Sequence, residues 1–172
     1  SQIERLKGNV QIESEPGKGC MFRLQIRTQL ATANVVFVNV RGVVHGIPIE
    51  FLQTTMRISQ SDIVNVDGLD SVAWRDRTVP VRDLFDVLEL ANSPAYRPPA
   101  DPEPARQRAC LLLRVGDELG AFLVDRLLDT QEVVIKPHST LLKRIRNVTG
   151  MTILGNGEVC SILNPPDLVK SI

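Results

Sequence analysis

The chain has 172 residues, enough for one ordinary domain or two small ones, so burying a core is no obstacle. Twenty basic residues balance twenty acidic ones, which removes the basic excess that phosphate-backbone binding normally leaves. The longest uncharged run, Thr28 to Val40, is too short to span a bilayer, and no basic segment followed by an apolar stretch opens the chain. Cys20, Cys110 and Cys160 are odd in number and lack C-x-x-C spacing, so they are expected reduced and mostly buried, as in a cytosolic protein. His45 and His138 are the only histidines, each remote in sequence from other good ligands, and no metal site is expected. A first residue of Ser suggests a piece of a longer protein.

Ser1 to Lys7 is amphipathic, with Ile3 and Leu6 three apart and Gly8 behind them, which predicts the end of a helix with a glycine stop. Val10 and Ile12 then alternate with Gln11 and Glu13, and Phe22, Leu24 and Ile26 alternate with Arg23, Gln25 and Arg27. Period two on both sides of a Pro-Gly turn predicts a β-hairpin. Asn34–Arg41 and Val43–Ile49 predict two strands joined at Arg41-Gly42, and a connector through Phe51 and Leu52 leads to a short strand at Met56–Ile58. Ser71–Arg75 and Thr78–Val81 flank Asp76-Arg77 as a further hairpin, and Arg82–Leu90 has helical spacing.

Ser93 to Pro104 holds five of the eleven prolines, and without their N–H groups it is neither helix nor central strand. It reads as a linker or a surface insertion. Beyond it the earlier order returns. Ala109–Val115 and Leu119–Val124 predict a hairpin, a connector leads to Glu132–Ile135, and Met151–Leu154 with Val159–Leu163 predict another hairpin over Asn156-Gly157. Pro165-Pro166 starts a closing helix. Hairpin, connector strand, hairpin and short helix therefore occur twice, with Gly46 corresponding to Gly120. Two linked five-stranded barrels fit the count.

The chemistry is sparse. Gly17-Lys18-Gly19 is followed by a strand and not by a helix, so it fails as a P-loop, which needs converging N–H groups at a helix start. Asp83 with Asp86, and Asp125 with Asp129, read as solvated or capping residues. No G-x-S-x-G elbow occurs. One Trp, one Tyr and five Phe are too few for a nucleic-acid stacking face on a chain without positive charge.

Gly8–Ile26 (G-N-V-Q-I-E-S-E-P-G-K-G-C-M-F-R-L-Q-I) resembles the final hairpin of histidine-kinase ATP-binding domains, with their G-K-G-S/T-x-F signature. Cys20 stands where that signature has a hydroxyl residue. Leu30-Ala31 looks like the junction that follows in chemotaxis kinases of the CheA family. Asn34 to Ile172 resembles the regulatory domain of that family, which shares the fold of the coupling protein CheW. The specific stretches are G-I-P-I-E-F-L (Gly46–Leu52), R-D-R-T-V-P-V-R-D-L (Arg75–Leu84), L-V-D-R-L-L-D-T-Q-E-V-V-I-K-P (Leu123–Pro137) and Gly150–Pro165. Asp76 replaces the glycine of the family's turn.

The resemblance implies an all-β fold of two linked five-stranded SH3-like barrels with short helices, preceded by a helix end and hairpin left from an ATPase domain. Residues 1–31 would be that remnant and 32–172 the regulatory domain, with halves at 34–92 and 107–172 around an insertion at 93–106. It implies docking to a CheW-type coupling protein, to the cytoplasmic tip of a chemoreceptor and to other domains of the same kinase, with no nucleic acid, no membrane insertion and a cytoplasmic location. ATP and magnesium are expected only upstream, and the chain alone, without catalytic residues of its own, is expected to be inactive.

Interface candidates on the first barrel are Ile47, Ile49, Phe51, Leu52, Met56 and Ile58, with Arg75 aligned to a turn arginine in the family's receptor-contact region. On the second barrel they are Leu119, Phe122, Leu127 and Leu128. An apolar side chain in such a pattern is more often core than interface, because alternating strands bury one face, whereas Arg75 reads equally as a solvated turn residue. A free adaptor of the coupling class and an enzyme with an unrecognised cleft stand as the competing readings.

Overall fold

A computed structural model describes residues 9–15, 17, 19–25, 31–90, 107–137 and 146–172. The expected helix end over residues 1–8, Lys18, Leu30, the insertion at 93–106 and His138 lie outside the described residues. Two compact units divide the chain, residues 1–30 and 31–172.

In the first unit, β1 (Asn9–Glu15) and β2 (Gly19–Gln25) pair antiparallel, with Ile12 facing Phe22 and Ser14 facing Cys20. The predicted hairpin is present. Met21 and Phe22 are 55% and 62% exposed, and successive strand residues point to opposite faces. A lone two-stranded hairpin is marginal in water.

The second unit is built from β3 (Ala31–Val40), β4 (Val43–Pro48), β5 (Leu52–Ile58), β6 (Ile63–Val66), β7 (Leu69–Trp74), β8 (Arg77–Asp83), β9 (Arg108–Val115), β10 (Glu118–Val124), β11 (Arg126–Pro137), β12 (Val148–Ile153) and β13 (Val159–Leu163). Short helices follow at Leu84–Val87 and Pro165–Val169. A closed barrel runs β11-β12-β13-β4-β3, and a six-stranded sheet runs β5-β9-β10-β8-β7-β6.

Two β bodies are thus present, but they do not follow the halves of the sequence. The barrel takes β3 and β4 from the first half and β11 to β13 from the second. The sheet takes β9 and β10 from the second half and β5 to β8 from the first. The exchange is reciprocal in detail. β3 pairs antiparallel with β11 as β5 does with β9, and the parallel contacts β13–β4 and β10–β8 also correspond. The second body is also a six-stranded sheet and not a five-stranded barrel. The extra strand, β6, is joined to β7 through Asp67 (φ 52) and Gly68 (φ 85), the left-handed pair of a type I′ hairpin turn.

Bulges explain where the predicted connectors gave way to strand. On β11, Leu127 faces Val38 and Thr130 faces Val36, so Leu128 and Asp129 share one partner position. On β5, Leu52 faces Leu113 and Thr54 faces Leu112, leaving Gln53 as the extra residue. A bulge breaks the period-two pattern and so hides a strand from a reading by periodicity. The β7–β8 turn is Arg75-Asp76, one residue earlier than expected, so that Trp74 faces Arg77.

Three apolar clusters hold the unit together. Val35, Phe37, Cys160 and Ile162 fill the barrel. Ile58, Val72, Val79, Cys110, Leu112 and Ala121 line one face of the sheet. Between barrel and sheet lies the largest cluster, with Val36, Val38, Ile47, Leu111, Leu113, Phe122 and Leu168 among its members. Alternate residues of β3, β9 and β10 serve different clusters, which is why those strands read as continuous apolar runs. A fully buried Leu or Phe contributes about 1.5–3 kcal/mol, so this seam welds the two bodies.

An ionic cluster closes one end of the seam. Asp83 accepts a 2.8 Å hydrogen bond from Arg108 and lies 3.7 Å from Arg41. Asp125, the single residue between β10 and β11, lies 3.7 Å from the Arg108 guanidinium and accepts the backbone N–H of Arg41. The Arg41 guanidinium also sits 4.8 Å from the Phe85 ring centroid.

Candidate functional site

Two turns and one bulge meet at the end of the sheet remote from the ionic cluster. Trp74 and Arg77 flank the Arg75-Asp76 turn, Arg114 faces Leu119 across β9 and β10, and Gln53 projects from the β5 bulge. Period two assigns Trp74, Arg77, Arg114 and Leu119 to the face that carries Val72, Val79, Leu112 and Ala121. They therefore form the mouth of that cluster. The result is a cleft of about 240 Å³, floored by half-buried Trp74 and Leu119 and rimmed by Arg75, Arg77 and Arg114. A second depression of about 310 Å³ adjoins it through Gln53 and Arg114 and is lined further by Glu50, Phe51 and Leu52.

Arg75 is held in the left-handed region at φ 53, and its guanidinium lies 4.6 Å from the Trp74 ring centroid. A guanidinium attracted to a ring face in this way still carries N–H donors that a planar acceptor can use. Arg114 donates from Nε to the Gly116 carbonyl at 2.9 Å and lies 3.8 Å from the fully exposed Asp117 carboxylate. That ion pair is solvent-screened and weak.

The expected interface residues divide into three groups. Ile47, Ile58 and Phe122 are corrected to core, at 0%, 6% and 0% exposure. Ile47 and Phe122 face the central seam, and Ile58 belongs to the outer cluster of the sheet. Phe51, Leu52, Arg75 and Leu119 are brought together at the two depressions, with Ile49 beside them on the 3₁₀ turn Ile49–Phe51 and 40% exposed. Met56, farther along β5, packs against the outer cluster. Leu127 and Leu128 stand apart on β11, where Leu127 packs on the central seam and the bulge leaves Leu128 42% exposed.

Trp74, Arg77, Arg114 and Gln53 were not singled out from the sequence. The signal for the first two was the turn itself, since a two-residue loop at Arg75-Asp76 makes Trp74 and Arg77 neighbours on one face. A loop placed one residue later pairs Trp74 with Val79 and puts Arg77 in the turn.

Among the described residues lining the cleft there is no cysteine, serine, threonine, lysine or histidine. Burial pushes the Cys110 and Cys160 thiols up to about 11, so both are protonated at neutral pH. His45 lies 2.7 Å through Nδ1 from Ser161 Oγ, its Nε2 is buried without a hydrogen-bond partner, and burial lowers its pKa to about 4. Among the described residues no cluster of His, Cys, Asp and Glu is arranged to hold a metal ion, and no helix is long and apolar enough to cross a membrane.

The arginine and tryptophan gathered at one rim of this β module are residue types enriched where proteins meet. The chain belongs to the CheW-like domain family, whose model matches residues 34–172. The solved scaffolding protein TtCheW from Thermoanaerobacter tengcongensis superposes with a TM-score of 0.60 over 78% of this chain and 90% of its own, at 11% identity. In sequence, the sensor histidine kinase CheAY of Helicobacter pylori is 30% identical over 180 residues, covering 100% of this chain. The chemotaxis protein CheA of Bacillus subtilis is 28% identical over 95% of the chain, and the gliding motility regulatory protein of Myxococcus xanthus 26% identical over 99%. The chain spans 21%, 23% and 21% of the length of these three relatives.

Proposed function

We propose that this chain is the regulatory docking region of a CheA-like sensor histidine kinase, with the last hairpin of the ATP-binding domain in residues 1–31 and the CheW-like domain in 32–172. It works in the cytoplasm by presenting its rims to a CheW-type coupling protein, to chemoreceptor tips and to other domains of the same kinase, so that receptor state reaches the kinase centre. Nucleotide and magnesium belong to the kinase domain upstream.

One observation supports this reading over a free adaptor. The similarity to the sensor histidine kinase CheAY extends over 100% of the chain, and so includes residues ahead of the CheW-like match at 34–172.

The test is capture of the cognate coupling protein by this chain, with Ile49→Asp and Phe51→Asp as probes. Neither residue packs against the apolar clusters, so both variants are expected to stay folded while losing capture. Leu52→Asp is a poorer probe because Leu52 packs on the central seam. Failure of the wild-type chain to bind the coupling protein, or hydrolysis of ATP by the purified chain, overturns the reading.

A further inference from the structure

The cleft between Trp74 and Arg114 has a charge character that the overall composition hides. The chain as a whole is neutral, yet three guanidinium groups converge on this one depression against a single lining carboxylate, Asp76. Arg75 and Arg77 have no ion-pair partner among the described residues, and Arg114 has only the solvent-screened Asp117. Beneath the cations lie two half-buried apolar side chains, Trp74 and Leu119. Arginine around an aromatic floor is the composition of an interface anchor, and its planar fork matches a carboxylate with two parallel hydrogen bonds.

We infer that the cleft at the mouth of the six-stranded sheet seats an acidic segment of a partner protein, with one apolar side chain on Trp74 and Leu119 and carboxylates on Arg77 and Arg114. This rests on the docking role proposed above and names the chemistry of the segment received. Charge complementarity selects the occupant. A purely apolar segment would leave three guanidinium groups partly desolvated and unpaired, at a cost it does not recover. The arginines also speed encounter, because rim charges act mainly on the association rate and in a salt-dependent way. Arg77 and Arg114 are then residues that set which segment is accepted, and Arg75 holds its guanidinium over the tryptophan ring at the same rim.

The probe is a synthetic helix-forming peptide with glutamates four residues apart beside leucines, compared with the same peptide carrying glutamines, titrated against the 172-residue chain. The glutamate peptide is expected to bind, to weaken with added salt, and to lose about tenfold or more in affinity with Arg77→Glu or Arg114→Glu. Thermal unfolding of both variants is expected to match the wild type, since both side chains are exposed. No binding of the glutamate peptide, equal binding of the two peptides, or reversals without effect overturns the inference. Binding of anionic lipid vesicles or of DNA in place of the peptide overturns it as well. The outcome is separable from that of the docking role. If the coupling protein is captured equally by wild type and both reversals, the acidic-segment inference falls and the docking role stands. If the peptide binds but no coupling protein is captured, the reverse holds.

Discussion

Asp83 accepts both the Arg108 guanidinium at 2.8 Å and the backbone N–H of Phe85 at 3.0 Å, so one carboxylate caps a helix and ties it to β9. Its side chain is 14% exposed and that of Arg108 is 28% exposed, so solvent screening is only partial. Arg108→Ala leaves the cap in place and is expected to lower stability by about 1–2 kcal/mol. Asp83→Ala removes cap and ion pair together and is expected to lose about 2–3 kcal/mol. Urea denaturation measures both. A midpoint for Asp83→Ala no lower than that for Arg108→Ala would contradict this order.

Gly46 and Gly120 correspond in the repeat but differ in what surrounds them. A Cβ at Gly46 would lie 2.6 Å from both Ile162 Cδ1 and Val35 Cγ1, which are fully buried in the barrel. A Cβ at Gly120 would lie 2.5 Å from Cδ1 of half-buried Ile172, the last residue given, and 3.1 Å from the Phe122 ring, so that its closest clash is with the far end of one side chain and not with two buried ones. Gly46→Ala is therefore expected to cost about 1–3 kcal/mol by overpacking, and Gly120→Ala less. Comparing the two melting temperatures tests the order.

His45 makes stability depend on pH. The unfolded chain takes up a proton near the ordinary value of 6.5, whereas burial keeps the folded imidazole neutral until about pH 4. Between those values the unfolded state binds more protons, so stability falls as pH drops from 6.5 towards 4 and is unaffected by this group above that range. The full loss is about 3 kcal/mol at most. Removing the imidazole in His45→Gln is expected to flatten that part of the profile of urea midpoint against pH. A wild-type profile that is already flat would contradict the assignment.

The cysteines should separate by access. Cys20 is exposed, while Cys110 and Cys160 are buried with thiols raised to about 11. A thiol reagent at neutral pH is expected to modify one group per native chain rapidly and the other two only on unfolding. Cys20→Ser should abolish the rapid phase.

Much of the fold was legible because its causes are local. Arg41-Gly42, Gly116-Asp117 and the Asn156-Gly157 loop sit between apolar runs and mark hairpins without tertiary help. The Gly-Lys-Gly run read as a hairpin tip because a strand follows it, and the family followed from ordered stretches of residues. β6 was missed although Asp67-Gly68 marks its turn, since a four-residue strand with three exposed positions has little apolar pattern.

Residue identity by itself determined that this protein is an assembly of short β hairpins from the CheW-like family, because turn chemistry and period-two alternation act over only a few residues. Tertiary structure alone decided which hairpin joins which body, because strand partners are chosen by burial across the seam and each half closes on the other's strands. For the same reason it alone separated Ile47, Ile58 and Phe122, which went to the interior, from Ile49, Phe51 and Arg75 at the rim. It also gathered Trp74, Arg77 and Arg114, which lie on three strands and share no sequence pattern, around one cleft.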